Sequence, residues 1–380
     1  MVKIPSCLQG KRVCFISPSA YPLLDPFAGG GWSGGAETQL ITIGRALSSL
    51  GFDVHFVVDD YGQPESVKFG DVTAHRTTFR HMGGSKLYIL SDWWRLFRLL
   101  RKIHADFYLI KVPPHLLSLL GLYCRSHGAK LIFIGQKDSD LDENRIRQRQ
   151  GAPGWWLYRT GIGMTDFVVA QTESQCTGFR DKFGKEVLVI RNVLTLEEDN
   201  DISKDDYVLW VGNNNEDKQA HLVPELARAL PHVRFRMIMA FGPSQKGDSF
   251  IRNQLDELPN LEYLGTVPFS EIADHYKRAR LFISTSKCEG FPNTFLQSWQ
   301  YRTPVISLMV DPDGVIERHD LGRVSGTFDN LVRHIRELHA DPAQCEKLGG
   351  NARRYAYEHH SLESAVQKYC DLFAGLDATC

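Results

Sequence analysis

The stretch 284–306 combines residue types that could hold a phosphate group and the hydroxyls beside it. An apolar run typical of a buried strand leads into a loop with Glu289, and Asn293 or Thr294 is predicted to cap the helix that follows. Free amides at such a helix start, aided by the helix dipole, are suited to bind a phosphate. Glu289 before the helix and Gln297 one turn inside it can each reach a hydroxyl beside that phosphate. The stretch therefore predicts a nucleotide-sugar site. The alternative is an ordinary strand-to-helix connection with a solvated Glu289.

The same stretch resembles the retaining glycosyltransferases of family 4, which have the GT-B fold. Their C-terminal domain carries the pattern E-G-F-P-x-x-x-x-E, and this chain has Glu289-Gly290-Phe291-Pro292 at its start. The resemblance implies that Glu289 holds the donor sugar and that the second acidic residue holds the ribose. Gln297 stands at that second position, where its amide oxygen can accept a hydroxyl hydrogen bond without a charge. The donor-binding residues implied in this stretch are Glu289, Gly290, Phe291, Pro292, Asn293, Thr294 and Gln297.

Two further segments of the second half resemble donor-binding segments of the same family. The loop 213–218 follows the pattern G-R-x-x-x-x-K, with Asn213 in place of the Arg and Lys218 at the Lys position. Both positions face the donor phosphates in that family, and Asn cannot make the bidentate phosphate contact of Arg. The segment 261–268 resembles one whose backbone meets the nucleobase, which implies a contact at Val267. Lys218 and Glu289 are therefore the predicted catalytic residues, with a solvated surface lysine as the alternative for Lys218.

A glycine-rich loop precedes the first long predicted helix, 38–50. The run Gly34-Gly35-Ala36-Glu37 resembles the G-G-A-E segment near the start of family 4 chains, which implies that Gly34 and Gly35 approach the donor diphosphate. Glycines at 29, 31 and 34 also match a dinucleotide fingerprint, but a long loop separates them from the preceding strand, as the fingerprint does not allow. A plain turn that uses the positive φ of glycine remains as an alternative.

Two segments of the first half are candidates for acceptor and surface contacts. Many family 4 enzymes carry His-Asp after the strand that corresponds to 130–134, and Lys137-Asp138 aligns with it here. Lys137, Asp138 and Asp140 are therefore predicted acceptor contacts, with solvated loop charges as an equal alternative. Residues 76–104 are basic and aromatic, which predicts either a surface helix packed on the sheet or contact with an anionic membrane surface.

Charge and composition argue against several classes of protein, namely nucleic-acid-binding, secreted and membrane-spanning proteins. The net charge of −1 shows no nucleic-acid signature, although residues 1–195 carry 24 Lys and Arg against 17 Asp and Glu. The eight cysteines form no C-x-x-C pair, which predicts reduced thiols in a cytoplasmic protein. Lys11 and Arg12 interrupt any signal peptide, and no apolar run approaches the roughly 20 residues of a membrane span. We expect a cytoplasmic protein, with the inner face of the membrane as an option, and no nucleic-acid partner.

The alternation of strands and helices predicts an α/β chain, and the resemblance implies GT-B architecture, with two Rossmann-like domains whose parallel sheets face a cleft. The expected parts are an acceptor-side domain at 1–193, a nucleotide-sugar-binding domain at 194–360, and a helix at 361–380 that returns to the first domain. The resemblance implies a retaining hexosyltransferase with a nucleotide-diphosphate sugar as donor and a glycan, lipid-linked or small-molecule acceptor, as in polysaccharide biosynthesis. No D-x-D motif stands where metal-dependent transferases carry it, so neither metal nor cofactor is expected. The alternatives are a GT-B nucleotide-sugar epimerase and a non-catalytic nucleotide-sugar-binding protein.

Overall fold

The computed structural model describes residues 2–25, 34–77, 86–111, 114–195, 203–240, 254 and 257–380. The chain divides into two compact units, one formed by Met1–Asn192 with Leu362–Cys380 and the other by Val193–Ser361. Each unit combines helices with a sheet that is wholly or largely parallel, so the predicted α/β fold class with two parallel-sheet domains is confirmed.

The sheet of the first unit contains the strands β1 (Arg12–Ile16), β2 (Asp53–Val58), β3 (Ser66–Phe69), β4 (Val72–Arg76), β5 (Phe107–Ile110), β6 (Lys130–Ile134), β7 (Phe167–Ala170) and β8 (Val187–Val189). Their order is β3-β4-β2-β1-β5-β6-β7-β8, and neighbouring strands are parallel except for β3 and β4. Those two strands form an edge hairpin whose turn uses Gly70 at φ +64°. The central strand β1 pairs with β2 and β5, and its last four residues are fully buried, as in a strand covered on both faces.

Among the described residues, the helices that connect or flank these strands are α1 (Tyr21–Leu24), α2 (Gly35–Ser49), α3 (Lys86–Ile103), α4 (Pro114–His127), α5 (Glu143–Met164) and α6 (Glu173–Phe183), with the last helix given below. The long loop predicted over 18–31 is partly helical, because α1 and a short 3₁₀ helix occupy its described part. The fingerprint glycines at 29 and 31 lie outside the described residues. Gly151, at φ +72°, kinks α5, which no sequence pattern had indicated.

The sheet of the second unit contains β9 (Val208–Asn213), β10 (Phe235–Ala240), β11 (Leu261–Gly265), β12 (Leu281–Ser284), β13 (Val305–Ser307) and β14 (Gly322–Val324). All neighbours in the order β11-β10-β9-β12-β13-β14 are parallel. Alternate residues of β9 pack into different cores, with Trp210 on one face and Leu209 on the other, so both faces of this sheet are covered. The helices with described bounds in this unit are α7 (Leu222–Ala229), α8 (Phe269–Arg278), α9 (Asn293–Gln300), α10 (Val315–Arg318), α11 (Phe328–His339) and α12 (Pro342–His359).

The last helix, α13 (Leu362–Leu376), belongs to the first unit, as predicted. Phe373 stacks on Phe107 of β5 with 4.4 Å between the ring centroids. A disulfide joins Cys7 to Cys380 at the two ends of the chain. The prediction of reduced thiols is therefore wrong for this pair, because the fold brings together two cysteines that no local spacing relates. The other six cysteines are free thiols.

Candidate functional site

The loops that follow β9 and β12 meet because these strands are neighbours in the second sheet. Both strands run in the same direction, with Val208 opposite Leu281 and Leu209 opposite Phe282. Their carboxyl ends therefore lie at one edge, where open parallel sheets bind ligands. This placement brings the predicted phosphate-binding loop and the predicted sugar-binding loop together within a single unit.

Lys218 and Glu289 form an ion pair between these two loops. The distance from Lys218 Nζ to Glu289 Oε1 is 2.8 Å, and the two side chains are only 18% and 11% exposed. A surface lysine would be largely solvated, so the structure does not favour the solvated alternative for either residue. A cation that could hold a phosphate thus lies directly beside a carboxylate that could accept sugar hydroxyls.

Thr285 links the two loops through hydrogen bonds. Its hydroxyl donates to the backbone carbonyl of Lys218 and accepts from the indole nitrogen of Trp210 at 2.9 Å. The backbone amide of Lys287 donates to the carbonyl of Asp217 at 2.8 Å, which ties the loops a second time. Sequence reasoning missed Thr285, because its role depends on contacts between distant parts of the chain. These bonds hold the Lys218 backbone in place before any ligand binds.

The start of α9 differs from the prediction. Pro292 is the N-cap residue and no side chain caps the helix, so the predicted capping by Asn293 or Thr294 is wrong. Proline preorganises the backbone next to a helix start but offers no oxygen to the first amides. The amides at this helix start therefore lack a side-chain cap, which leaves them suited to an anionic ligand. Gln297 lies one turn further along and is partly exposed.

Gly290, Phe291 and Pro292 are buried, and the side chain of Phe291 has a structural role. The ring of Phe291 packs against His360 and Trp299, with centroid distances of 4.4 and 5.9 Å. These contacts leave the backbone of this segment, and not the Phe291 ring, for the predicted donor contact. The hydrophobic packing also fixes the direction from which the loop approaches α9.

Two buried amide oxygens at this sheet edge have no hydrogen-bond partner in the described part of the chain. They are Oδ1 of Asn213, at the end of β9, and Oδ1 of Asn293, the first residue of α9. A buried acceptor without a donor costs about 1–3 kcal/mol, which a ligand hydroxyl would recover. The unpaired oxygens favour a ligand rich in hydroxyl groups.

Val267, the predicted nucleobase contact, lies between β11 and α8. Its side chain is partly buried and packs against the core.

In the first unit, Gly34 is the N-cap residue of α2 and Gly35 is its first residue. The φ angle of Gly34 is −104°, and neither glycine has a positive φ, so the plain-turn alternative that required one does not apply. The Gly34 amide donates to the carboxylate of Glu37 at 2.9 Å, which closes a local ring at the helix start. Helix α2 begins three residues earlier than predicted, so Gly34 and Gly35 lie at a helix N-terminus, where an anion is favoured.

The predicted acceptor contacts differ in their surroundings. Asp140 accepts hydrogen bonds from the amides of Gln136 and Lys137 at 2.7 and 3.1 Å, so its carboxylate orders its own loop. Burial raises the pKa of Asp140 above its ordinary value, although both amides lower it. Asp138 is exposed and accepts a bond from Gln175 at 3.1 Å. The acceptor role of Lys137, Asp138 and Asp140 stays a prediction.

Lys111 is a buried cation that sequence reasoning overlooked. It follows β5, is 4% exposed, and interacts electrostatically with Glu37 and Asp140. Burial lowers the pKa of Lys111 to about 8, while the two carboxylates raise it. Because β1, β5 and β6 are neighbours, Lys111 lies at the same sheet edge as the Gly34 loop and the Asp140 loop. The signal in the sequence that could have identified Lys111 is its position directly after the apolar run of β5.

Comparisons with known sequences identify glycosyltransferase segments in both units. Residues 33–198 match the family described as Glycosyltransferase Family 4, and residues 205–341 match Glycosyl transferases group 1. A relative from Xenopus tropicalis, Glycosyltransferase 1 domain-containing protein 1, is 24% identical over 127 residues, which are 33% of this chain. The match spans 37% of that frog protein.

Solved structures share the fold over almost the whole chain. Sucrose-phosphate synthase from Thermosynechococcus elongatus has a TM-score of 0.77 at 15% identity, covering 97% of this chain and all of that one. Anabaena HepE in complex with UDP and glucose has a TM-score of 0.74 at 15% identity, covering 96% and 100%. A glycosyltransferase from Rickettsia africae has a TM-score of 0.68 at 15% identity, covering 97% and 98%. At these identities the likeness shows the fold, which is of the GT-B type.

Proposed function

We propose that this chain, which carries family 4 and group 1 glycosyltransferase segments, transfers a sugar from a nucleotide-diphosphate donor to an acceptor hydroxyl with retention of configuration. The observation that carries the proposal is the ion pair between Lys218 and Glu289 at the carboxyl ends of β9 and β12. A cation for the diphosphate and a carboxylate for the sugar must be adjacent, because these two parts of the donor are joined by one bond. The acceptor would be a glycan, a lipid-linked sugar or a small molecule, as in polysaccharide biosynthesis.

The chemistry rests on positioning and charge stabilisation. The bond between the anomeric carbon and the diphosphate breaks, and the bond to the acceptor oxygen forms on the same face. The acceptor proton passes to the departing phosphate oxygen. Lys218 and the uncapped amides of α9 stabilise the growing negative charge on the diphosphate. Glu289 accepts hydrogen bonds from the sugar hydroxyls and holds the ring for attack.

Gln297 and the glycines of the first unit complete the proposed donor contacts. The partly exposed Gln297 would accept a ribose hydroxyl through its amide oxygen, one turn beyond the diphosphate. Gly34 and Gly35 lie at the start of α2, and their contact with a diphosphate stays a prediction. The proposal includes neither a metal ion nor a cofactor, so a chelator should leave transfer unchanged.

Uridine diphosphate is the first nucleotide to test, because the related fold of HepE was solved with UDP and glucose. A panel of nucleoside diphosphates scored by thermal shift should raise the melting temperature for the correct nucleotide only. Product analysis then separates the candidate activities. A transferase releases nucleotide and makes a glycoside only when an acceptor is present, and NMR of the product reads its anomeric configuration. Conversion of the nucleotide sugar without acceptor would identify an epimerase, and a donor that binds but never loses its sugar would identify a binding protein.

We further propose a peripheral contact with an anionic membrane surface through α3. The helix carries exposed cations, and Trp94 is 60% exposed beside them. No helix among the described residues is long and apolar enough to cross a bilayer. A cytoplasmic location at the inner face of the membrane is part of this proposal. The disulfide between Cys7 and Cys380 removes the support that reduced thiols had offered for it, because such bridges persist mainly in oxidising compartments.

A further inference from the structure

A basic pocket lies between α3 and the edge hairpin of the first sheet. Its volume is about 490 Å³. Arg76 ends β4, and Arg95, Arg98 and Lys102 come from α3. Asp60, Glu65 and Trp94 also line this pocket.

The charges of the basic pocket are only partly compensated. Arg76 pairs with Asp60 at 3.3 Å. No carboxylate of the described residues lies within ion-pair distance of Arg95, Arg98 or Lys102, although Glu65 lines the same pocket. Three cations therefore face one carboxylate, and the pocket favours an anionic group such as a phosphate.

A second pocket lined by Trp94 is apolar and has a volume of about 210 Å³. Phe97 packs edge-on against Tyr123 of α4, with 5.0 Å between the ring centroids, which supports the wall of this pocket. Every side chain that lines it is a hydrophobic one: Trp93, Trp94, Leu96, Phe97, Leu100 and Leu119. Such a pocket suits a hydrocarbon chain and gives a free phosphate nothing to bind.

Trp94 joins the two pockets. It lines both, and the guanidinium of Arg98 lies 4.7 Å from the centroid of its ring. This cation–π contact orients Arg98 at the border between the charged and the apolar volumes. One ligand could thus place an anionic head beside Arg98 and an acyl chain along Leu96 and Leu100.

We propose that these two pockets form a binding site for a single anionic lipid, with its phosphate headgroup in the basic pocket and its hydrocarbon in the apolar pocket. The site deepens the membrane contact proposed above, since it selects lipid molecules by structure instead of attracting any anionic surface. The uncompensated cations of the basic pocket favour an anionic headgroup. The adjoining apolar pocket favours a hydrocarbon chain, so the ligand that fits both is an anionic lipid. Tryptophan at such a boundary is typical of sites where one end is apolar and the other is charged.

The test uses soluble short-chain probes, so that a flat surface is absent. Dihexanoyl phosphatidic acid, dihexanoyl phosphatidylcholine and glycerol 3-phosphate are titrated into the full chain by calorimetry. We expect phosphatidic acid to bind more tightly than either of the others, because only this probe fills both pockets. Replacing Arg95 and Arg98 by Ser should weaken its binding about tenfold or more, from roughly 1 kcal/mol per cation.

Matched variants separate the site from general charge and exposed rings. Arg45→Ser removes an exposed cation of α2 in the same unit, and Trp156→Ser removes a ring that is 65% exposed on α5. Both should bind phosphatidic acid as the unmodified chain does, whereas Trp94→Ser should weaken phosphatidic acid about tenfold and glycerol 3-phosphate by less, because only the lipid also loses its apolar contact. Circular dichroism and thermal unfolding of each variant show whether the fold is retained.

Three outcomes would overturn the lipid site. They are equal affinity for glycerol 3-phosphate and phosphatidic acid, equal losses in the Arg45 and Trp156 controls, and no binding of the short-chain lipid at all. The proposed transferase activity is read independently from nucleotide binding and sugar transfer. Sedimentation with phosphatidylcholine vesicles, with and without phosphatidylglycerol, reads the general membrane contact. Pelleting with anionic vesicles but no short-chain binding would retain that contact and remove the site.

Discussion

The Nζ atom of Lys218 lies 2.8 Å from Oε1 of Glu289, although the two residues come from loops after different strands. Both side chains are largely buried, so removing either one leaves the other charge poorly solvated. Such a loss is more costly than the loss of an exposed ion pair. The pair therefore couples the predicted phosphate contact to the predicted sugar contact, and variants at either position must be checked for folding.

Glu289→Gln should abolish most sugar transfer while the protein remains folded. The amide keeps the shape of the side chain but loses the charged acceptor for sugar hydroxyls, and charged hydrogen bonds contribute about 1.5–3 kcal/mol. We expect transfer to fall about tenfold to a hundredfold. The rate of glycoside formation at saturating donor measures the loss, and the melting temperature is the control for folding. Transfer at the unmodified rate by a folded Glu289→Gln protein would show that Glu289 does not touch the sugar.

Gln297→Glu should be tolerated. Glu is the residue at this position in the resembling family, and both side chains accept a ribose hydroxyl through an oxygen. Gln297 is partly exposed in the first turns of α9, so an added charge remains hydrated. Donor affinity should change by less than about threefold by calorimetry. A hundredfold loss of donor affinity in this variant would indicate that Gln297 faces something other than the ribose.

Reduction of the disulfide between Cys7 and Cys380 should lower the apparent melting temperature. The bridge closes a loop across 373 residues and holds α13 and the first residues in one unit. A stabilisation of roughly 2–4 kcal/mol corresponds to about 5–10 °C for a unit of this size. Unfolding scans with and without reductant measure the shift, and non-reducing mass spectrometry detects the bridge. The double variant with Ser at both positions should melt at the reduced temperature with no response to reductant. If the reductant lowered the melting temperature of that variant by the same amount, the effect would not come from the disulfide between Cys7 and Cys380.

Stability should fall as the pH is lowered from about 6.5 to about 4 because of His75. Burial, together with the nearby His55 and Lys102, lowers the pKa of His75 to about 4, against an opposing effect of Asp53. In this range the unfolded chain binds a proton that the folded chain does not, so acid favours unfolding until the pH passes the folded pKa. Below about pH 4, His75 is protonated in both the folded and the unfolded chain. A further fall in pH then causes no additional loss of unfolding free energy through this residue.

His75→Gln removes that titration and should flatten the pH dependence of the melting temperature between these limits. The unmodified chain should lose roughly 2 kcal/mol across the range, and the variant markedly less. His221→Gln, at an exposed position of the second unit, is the matched control and should follow the unmodified chain. Identical pH profiles for His75→Gln and the unmodified chain would remove His75 as the cause.

The sequence predicted the parts of the fold that local patterns determine. The strand at 130–134 was predicted with the observed bounds, because an apolar run is a local signal. The edge hairpin of β3 and β4 was missed, since its strands are short and β3 has no buried residue to mark it as a strand. Helix α5 was missed because Gly151 and Pro153 interrupt its pattern.

The site was predictable where a motif supplied residue types and unpredictable where it depended on contacts. The adjacency of Lys218 and Glu289 follows from the order of the second sheet, and the motifs had already selected both residues. Thr285, Lys111 and the disulfide depend on tertiary contacts that no local spacing reveals. The capping prediction failed because Pro292 takes the N-cap position, one residue before the polar side chains that favour it.

Calorimetric titration of UDP and uridine into the unmodified chain and into Lys218→Ala tests the central claim most directly. Lys218 supplies the side-chain cation proposed for the diphosphate, and such a contact is worth roughly 1.5–3 kcal/mol. UDP should therefore bind the variant about tenfold to a hundredfold more weakly, while the affinity for uridine, which has no phosphate, changes little. Lys287→Ala, an exposed lysine of the neighbouring loop, should bind UDP as the unmodified chain does. Equal losses for UDP and uridine, or unchanged UDP affinity in a folded Lys218→Ala protein, would contradict a donor site built on Lys218 and Glu289.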